Sequence, residues 1–295
     1  MALPIKTNFG YTSNKAWGGL WYQGSGLYPP LGSGAYGLYY SSPVQIGGLT
    51  TWKDVYFSAS AIAGTGYAIK TDGTLWTWGA NEYGQLGLNV SNASAYYSPT
   101  QVGALTDWKV LGCRNASGGA IKSDGTLWTW GDNTSGSLGQ GLKDTPPGAT
   151  YYSLSPVQVG ALTNWLQLSG SWARIALKTD GTLWSWGYGA SGRLGNGTTL
   201  NYSSPVQIGA LTTWAQVSCA TSVALAIKTD GTLWAWGAGV AGIGNNTTSQ
   251  YSSPIQIGAL TTWAKVFAGP NVNFAIKKDG TLWVWGSGGQ GGLGL

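Results

Sequence analysis

The chain has 295 residues, of which 8% are charged, with 49 Gly, 18 Trp and no His. That charge is far below the roughly 25% of an average soluble protein, yet the aromatic content argues against disorder and the length suffices for a substantial core. The formal charge of +5 is spread along the chain rather than gathered in a block, which argues against nucleic acid or another polyanion as partner, and the absence of His excludes a Ser-His-Asp triad and removes the commonest transition-metal ligand.

From the N-terminus, Met1-Ala-Leu-Pro-Ile-Lys6 lacks the apolar stretch of a signal peptide, and nowhere does an apolar run approach the roughly 18 residues of a membrane span. Neither secretion by the usual route nor membrane insertion is expected. Residues 1–50 read as a degenerate copy of a repeat that is better kept farther along the chain. Setting Leu20 against Leu75 places Lys15 on Lys70, Trp21 on Trp76 and Gly24 on Gly79, with Trp17 in place of Asp72 and Gln23 in place of Trp78.

The first faithful copy is Ala68-Ile-Lys-Thr-Asp-Gly-Thr-Leu-Trp-Thr-Trp-Gly79, and it recurs at 120–131, 176–187, 226–237 and 275–286. Asp-Gly between two strand-like runs is the strongest short hairpin signal, and the sequence predicts a tight turn with positive φ at both residues. Period-two alternation then puts Trp76 and Trp78 on one face of the second strand, with Leu75 and Thr77 on the other. Both faces carry packing groups, so each small sheet is expected to lie between neighbours.

A second block, Ser-Pro-Val-Gln-Ile-Gly and its variants, has its Pro at 43, 99, 156, 205 and 254, followed by Trp52, Trp108, Trp165, Trp214 and Trp263. Full repeats therefore span about 51–107, 108–164, 165–213 and 214–262, and a partial one 263–295. Each holds four short strand candidates: Trp, Ala-Ile-Lys, Leu-Trp-x-Trp and Pro-Val-Gln-Ile. Four antiparallel strands repeating at this interval predict an all-β fold, a single β-propeller over 1–295 of about six four-stranded blades, its ring closed near the N- and C-termini. Only five Ser-Pro blocks serve six hairpin units, so one blade is expected to be a strand short, its seam sealed by residues 1–10 or by a neighbouring chain. Cys113 and Cys219 occupy equivalent positions in non-adjacent repeats, too far apart for a disulfide, and read as buried thiols.

The segments between Trp-Gly and Ser-Pro vary most. They carry Gly-x-Leu-Gly at 84–87, 136–139 and 192–195 and then Asn-, Ser-, Thr- and Tyr-rich stretches, the composition of turns and of recognition loops on a rigid scaffold. Tyr97, Tyr152, Tyr202 and Tyr251 precede the Ser-Pro blocks, and Tyr83, Tyr96 and Tyr151 join them. Tyr with Ser, Gly and Asn suits an adaptable binding surface, so these seven form the candidate binding set. Packing of the loops themselves is the competing reading. The Asn-x-Ser/Thr triplets Asn92-Ala-Ser and Asn196-Gly-Thr follow from the loop composition alone.

Trp78-Gly-Ala-Asn-Glu-Tyr-Gly-Gln-Leu-Gly87, preceded by Asp-Gly-Thr-Leu-Trp, resembles the regulator of chromosome condensation repeat, and the likeness extends over residues 11–295. The resemblance implies a propeller. The family includes a nuclear nucleotide-exchange factor, a secreted β-lactamase inhibitor protein, and bacterial and bacteriophage proteins built wholly of such repeats. This chain has no His, little acid and no long β-wedge insertion, so the resemblance does not carry exchange activity to it.

Catalysis is not expected. Five of the ten acidic residues are the turn aspartates Asp72, Asp124, Asp180, Asp230 and Asp279; the others, Asp54, Glu82, Asp107, Asp132 and Asp144, lie scattered over different repeats without paired-carboxylate spacing. No metal or cofactor is implied. The repeat tryptophans, each able to bury roughly 200 Å², read as core. The function expected is a structural or adhesion propeller of a bacteriophage virion (tail, fibre or capsid-decorating subunit), bound to other virion subunits or a host-surface receptor, with a glycan as a further possible ligand. The alternative is a bacterial binding module for a protein or glycan, soluble in the cytoplasm or released without a signal peptide.

Overall fold

In the computed structural model each Asp-Gly pair closes a hairpin, and its hydrogen bonds define the turn. Gly73 N donates to Lys70 O and Lys70 N to Thr74 O, both at 3.0 Å, and the same pair of bonds recurs at Lys122, Lys178, Lys228 and Lys277. The loop therefore holds three residues, a type I turn closed by a glycine bulge. Positive φ falls on the glycine alone, Gly73 at 80° and likewise Gly125, Gly181, Gly231 and Gly280. This corrects the expectation of positive φ at aspartate. The aspartate acts through its side chain instead: Asp72 Oδ1 accepts Thr74 N at 2.9 Å and Thr74 Oγ1 at 2.7 Å, and Thr74 Oγ1 accepts Trp76 Nε1 at 2.8 Å. The same Asp–Thr–Trp relay stands at Asp124, Asp180, Asp230 and Asp279.

The structure describes residues 21–25, 39–46, 51–58, 64–90, 95–113, 116–141, 151–170, 172–238, 242–269 and 271–286. They are almost wholly strand and turn, with two short 3₁₀ turns at Thr134–Gly136 and Ala190–Gly192. The chain divides into two compact units, 1–133 with 150–163, and 134–149 with 164–295. The first unit contains the pair β1 (Trp21–Ser25) and β2 (Tyr39–Gln45), then β3 (Trp52–Ser58), β4 (Thr65–Lys70), β5 (Leu75–Gly79) and β6 (Tyr96–Gln101), then β7 (Trp108–Leu111), β8 (Ser117–Lys122), β9 (Leu127–Asp132) and β10 (Tyr152–Gln158). The second contains β11 (Trp165–Gly170), β12 (Ala173–Lys178), β13 (Leu183–Gly187) and β14 (Tyr202–Gln207), then β15 (Trp214–Cys219), β16 (Val223–Lys228), β17 (Leu233–Gly237) and β18 (Tyr251–Gln256), then β19 (Trp263–Ala268), β20 (Val272–Lys277) and β21 (Leu282–Gly286).

Each sheet is antiparallel with its strands side by side in chain order. The expected six four-stranded blades become five among the described residues, four of four strands and one of three, together with the two-stranded pair β1–β2. The first repeat has Gln23 where later copies place the second tryptophan. In the three-stranded sheet Leu282 and Trp283 are 65% and 47% exposed, whereas the counterpart Leu233 is 1% exposed. The expected sealing of the seam by residues 1–10 lies outside the described residues.

Within each unit, neighbouring sheets pack as the alternation predicts. The Leu face of β3–β6, with Tyr67, Ile69 and Leu75, forms one cluster with Trp108, Leu111, Ala120 and Trp130 of the next sheet. Ile175, Leu177 and Leu183 meet Trp214, Val217 and Trp236 in the same way, and Leu225, Ile227 and Leu233 meet Trp263 and Val266. Beside the strand-opening tryptophan lies a lysine whose Nζ sits over two indoles, 3.5 Å from the Trp76 centroid and 5.2 Å from that of Trp52 for Lys70. Lys122, Lys178, Lys228 and Lys277 repeat the arrangement, which gains strength from partial desolvation. Cys113 and Cys219 are buried thiols.

Two polar staples join sheets of the second unit. Gln167 Nε2 donates to Val217 O at 2.8 Å while its Oε1 accepts Val217 N at 3.1 Å, and Ser169 Oγ accepts Cys219 N at 2.9 Å. One repeat on, Gln216 holds Val266 and Ser218 holds Ala268 N. Ser169→Ala removes the hydroxyl that accepts the buried amide of Cys219 and is expected to cost about 1–3 kcal/mol, against near zero for Leu166→Ser at an exposed site of the same strand. Urea unfolding of the two variants measures the difference.

The relay also sets a pH dependence. Bonds from the threonine two residues on hold all five aspartates below the ordinary carboxylate value, the hydroxyl leading at Asp72, Asp180, Asp230 and Asp279 and the backbone N–H at Asp124. A folded-state pKa lowered in this way contributes stability above the unfolded value of about 3.9, and the contribution is lost as pH falls through the folded pKa. Tm should therefore drop between about pH 6 and about pH 3. The drop should be smaller in Asp180→Asn/Asp230→Asn, whose amide oxygens accept the same bonds without titrating.

Candidate functional site

The variable segments are held by backbone bonds to the neighbouring repeat. In three sheets the second tryptophan of the Leu-Trp-x-Trp strand reaches the Gly-x-Leu-Gly loop of the repeat before it: Trp130 Nε1 donates to Gln85 O at 2.9 Å, Trp186 Nε1 to Ser137 O at 3.0 Å and Trp236 Nε1 to Arg193 O at 3.1 Å. The loop's Leu86, Leu138 and Leu194 are fully buried. The glycine after each leucine lies against that indole. A Cβ on Gly139 would stand 2.6 Å from Trp186 Nε1, and one on Gly195 2.5 Å from Trp236 Nε1, both at positive φ.

Two residues farther on, Asn89, Gly141 and Gly197 adopt left-handed backbone. Their N–H groups donate to the fourth strand of the next sheet, Asn89 to Leu154 O at 2.8 Å, Gly141 to Ser203 O and Gly197 to Ser252 O at 2.7 Å. An edge strand that would expose its backbone is thereby clipped by a loop. Asn196 and Asn245 fold the following turn by accepting Thr198 N and Thr247 N, each at 3.2 Å, so the Asn196-Gly-Thr triplet has a local structural use that its composition alone did not suggest.

This framework sorts the seven tyrosines. Tyr96, Tyr202 and Tyr251 stand opposite Gly79, Gly187 and Gly237 in the strand pairing and are half-buried. Tyr251 packs against both neighbouring cores, and its OH accepts Asn245 Nδ2 at 3.0 Å. In β10 that register position belongs to Ser153, opposite Gly131. Tyr97 and Tyr152 are each one residue out of step, which turns them to the other face of the strand, where they are 36% and 38% exposed. Tyr83 and Tyr151 are also exposed.

The first unit brings three of these together. A Cβ on Gly84 would lie 3.1 Å from Ser153 O and from Leu154 Cα, so the loop carrying Tyr83 rests on β10 beside Tyr152. Tyr151 O accepts Asn133 N at 3.1 Å, and Gln85 Oε1 accepts Tyr83 N at 2.8 Å. Tyr97 stays apart in edge strand β6, and Tyr202 and Tyr251 lie in the second unit.

One residue that sequence reasoning missed is Trp172, 43% exposed at the turn from β11 to β12. Tyr188 N donates to its carbonyl at 2.8 Å. Aligning repeats picks out what recurs, and Trp172 recurs nowhere. Of the scattered acids, Asp107 pairs with Lys122 at 3.5 Å. Among the described residues no three of His, Cys, Asp and Glu converge as metal ligands would, and no helix is long and apolar enough to cross a membrane.

The regulator of chromosome condensation (RCC1) repeat matches residues 72–114, 124–173 and 180–227, each match running from an Asp-Gly turn through the next Trp strand. A stretch of 138 residues is 37% identical to the human E3 ubiquitin-protein ligase HERC2, covering 44% of this chain and 3% of that protein's length. Among solved structures, human WBSCR16 superposes with a TM-score of 0.76 at 17% identity, over 93% of this chain and 72% of that one. Prp20p of Saccharomyces cerevisiae, described with its binding properties to Gsp1p and histones, gives 0.74 at 19% identity over 90% and 65%. These likenesses establish the β-propeller fold.

The loop anchorage can be tested by a pair of glycines. Gly195→Ala combines φ of +71° with a ring contact, whereas Gly209, at φ +61°, has open space where its Cβ would point. Gly209→Ala should cost only the backbone strain, about 1–3 kcal/mol. Gly195→Ala should cost clearly more, read as a lower urea midpoint.

Proposed function

Given that this chain is a propeller built of repeats of the regulator of chromosome condensation type, we propose that it is a non-catalytic binding scaffold that engages protein partners through its loop ends. The observation that carries this reading is the division of labour inside the repeat. Tryptophan N–H groups and left-handed backbone hold the loops, so the exposed side chains of Tyr83, Tyr151 and Tyr152 are not needed to fold them. Tyrosines on a rigid frame offer contact area at small entropic cost. A protein partner also accords with Prp20p, whose binding to Gsp1p and histones is named with its structure.

More finely, the scaffold is a virion component of a bacteriophage, a tail, fibre or capsid-decorating subunit that meets neighbouring subunits or a host surface. Low charge, a single Met, no His and near-identical repeats rich in Gly, Asn, Ser and Thr support a durable surface protein. The turn lysines and aspartates support it too, since both are used within the repeat and leave little field to attract nucleic acid.

Purified particles decide the finer reading: the chain should be present at fixed copy number, and a soluble monomer that captures one cellular partner would overturn it. For the binding reading, Tyr83→Ser/Tyr151→Ser/Tyr152→Ser should weaken attachment to particle or partner by roughly tenfold or more with Tm unchanged. Unaltered attachment would show that this face is not used.

A further inference from the structure

We propose that the loop end of sheet β11–β14, centred on Trp172, is a second docking surface, one that fits an apolar, uncharged segment of a protein partner. The proposal rests on the reading of the chain as a binding scaffold and adds an anchor and a partner chemistry to it.

The repeats show that Trp172 is surplus to the fold. Its position is held by Gly64, Ala116 and Ser222 in other sheets, and in each the carbonyl accepts the same bond, from Ala80 N at 3.1 Å, Asp132 N at 3.0 Å and Ala238 N at 3.0 Å. The framework asks only for that carbonyl. The residue donating the bond is equally unconstrained, being Ala80, Asp132, Tyr188 or Ala238. Only in this sheet are both members of the bonded pair aromatic.

Two further features organise the surface. Arg193 Nε donates to Ala190 O at 2.7 Å and its Nη1 to Thr221 O at 2.6 Å, and its guanidinium lies 4.7 Å from the Tyr188 ring centroid. The ring is thus backed by a clamped, largely buried cation, a pre-organised contact rather than a mobile one. Leu200 O sits 1.8 Å from where a Cβ on Gly189 would be, so the glycine lets residues 198–201 lie over the sheet end. Asn201 Oδ1 secures the segment by accepting Gly189 N at 2.9 Å, and it presents Leu200 at 65% exposure.

The chemistry of the partner follows from the charges. Across 172–174, 186–201 and 219–222, the ionisable side chains other than Tyr188 and Cys219 are Arg174, which is fully buried, and Arg193, already engaged by two carbonyls. Exposed Trp172 and Leu200 beside half-buried Tyr188, without free charge, match the aromatic, charge-depleted centres of protein interfaces. A sugar ring could stack on the indole, but an isolated leucine gains more against apolar protein than against hydroxyls. The observations therefore favour a protein segment.

A random dodecapeptide library displayed on filaments and panned against the full chain tests this. Enriched peptides should be apolar and uncharged. Their affinity should fall roughly tenfold or more for Trp172→Ser and for Leu200→Ser, and stay unchanged for Leu260→Ser, at the opposite end of its sheet. All three sites are exposed, so unaltered Tm confirms that loss of binding is not loss of fold. No enrichment, peptides indifferent to Trp172→Ser, or Trp172-dependent binding of a neutral oligosaccharide panel in place of peptides would each overturn the proposal. Attachment to particle or partner lost with the three tyrosines but kept in Trp172→Ser would overturn it while leaving the binding scaffold standing.

Discussion

In three of the Leu-Trp-x-Trp strands the indole N–H of the second tryptophan is tied to a loop carbonyl of the repeat before it, and the surrounding structure is arranged around that tie. Trp130, Trp186 and Trp236 are fully buried, and each ends on the Gly-x-Leu-Gly turn of its predecessor. A sheet of four short strands cannot bury two apolar faces alone, so each repeat takes its core from its neighbour. The loop can come close enough because glycine follows the leucine. A side chain at Gly139 or Gly195 would occupy the ring's place.

The low charge of the chain has a structural reading in the same repeat. The recurring lysine lies over two indoles and the recurring aspartate accepts both bonds of its threonine. Burial pushes the Lys178 and Lys228 ammonium groups below the ordinary lysine value, and the turn aspartate opposes that shift. These charges balance within each turn and are not gathered into a field of one sign. What remains for recognition is short-range contact by uncharged side chains, and this is the kind of group that the loop ends expose.

Much of the fold was legible because its signals are local. Asp-Gly located the five hairpins, and alternation in Leu75-Trp-Thr-Trp78 assigned the two faces that the clusters confirm. The failures have physical causes. The turn is one residue longer than the two-residue form, because Lys70 and Thr74 bond each other across it. The sequence reading grouped Tyr97 and Tyr152 with Tyr202 and Tyr251, but they stand two and four residues before their proline rather than three, and a shift of one residue changes the face. The staples of Gln167 and Ser169 were invisible because their partners lie fifty residues away. Along the strand they look like ordinary polar alternation.

The candidate surfaces arise from the same division between backbone and side chain. Where the neighbour requires a specific side chain, as at Trp130 or Leu86, the repeat keeps it; where it requires a carbonyl or an N–H, the side chain is unconstrained. Gly64, Ala116, Trp172 and Ser222 illustrate the second case, each accepting an equivalent bond. Asn89, Gly141 and Gly197 illustrate it in the loops, because once their N–H groups are fixed to the next sheet the chain beyond them can change in length and composition, as between 89–96 and 141–152, without disturbing the core. New contacts can therefore be introduced at the loop ends at little cost in stability. Tyr83 with Tyr151 and Tyr152 in one unit, and Trp172 with Tyr188 and Leu200 in the other, occupy positions that this arrangement leaves free.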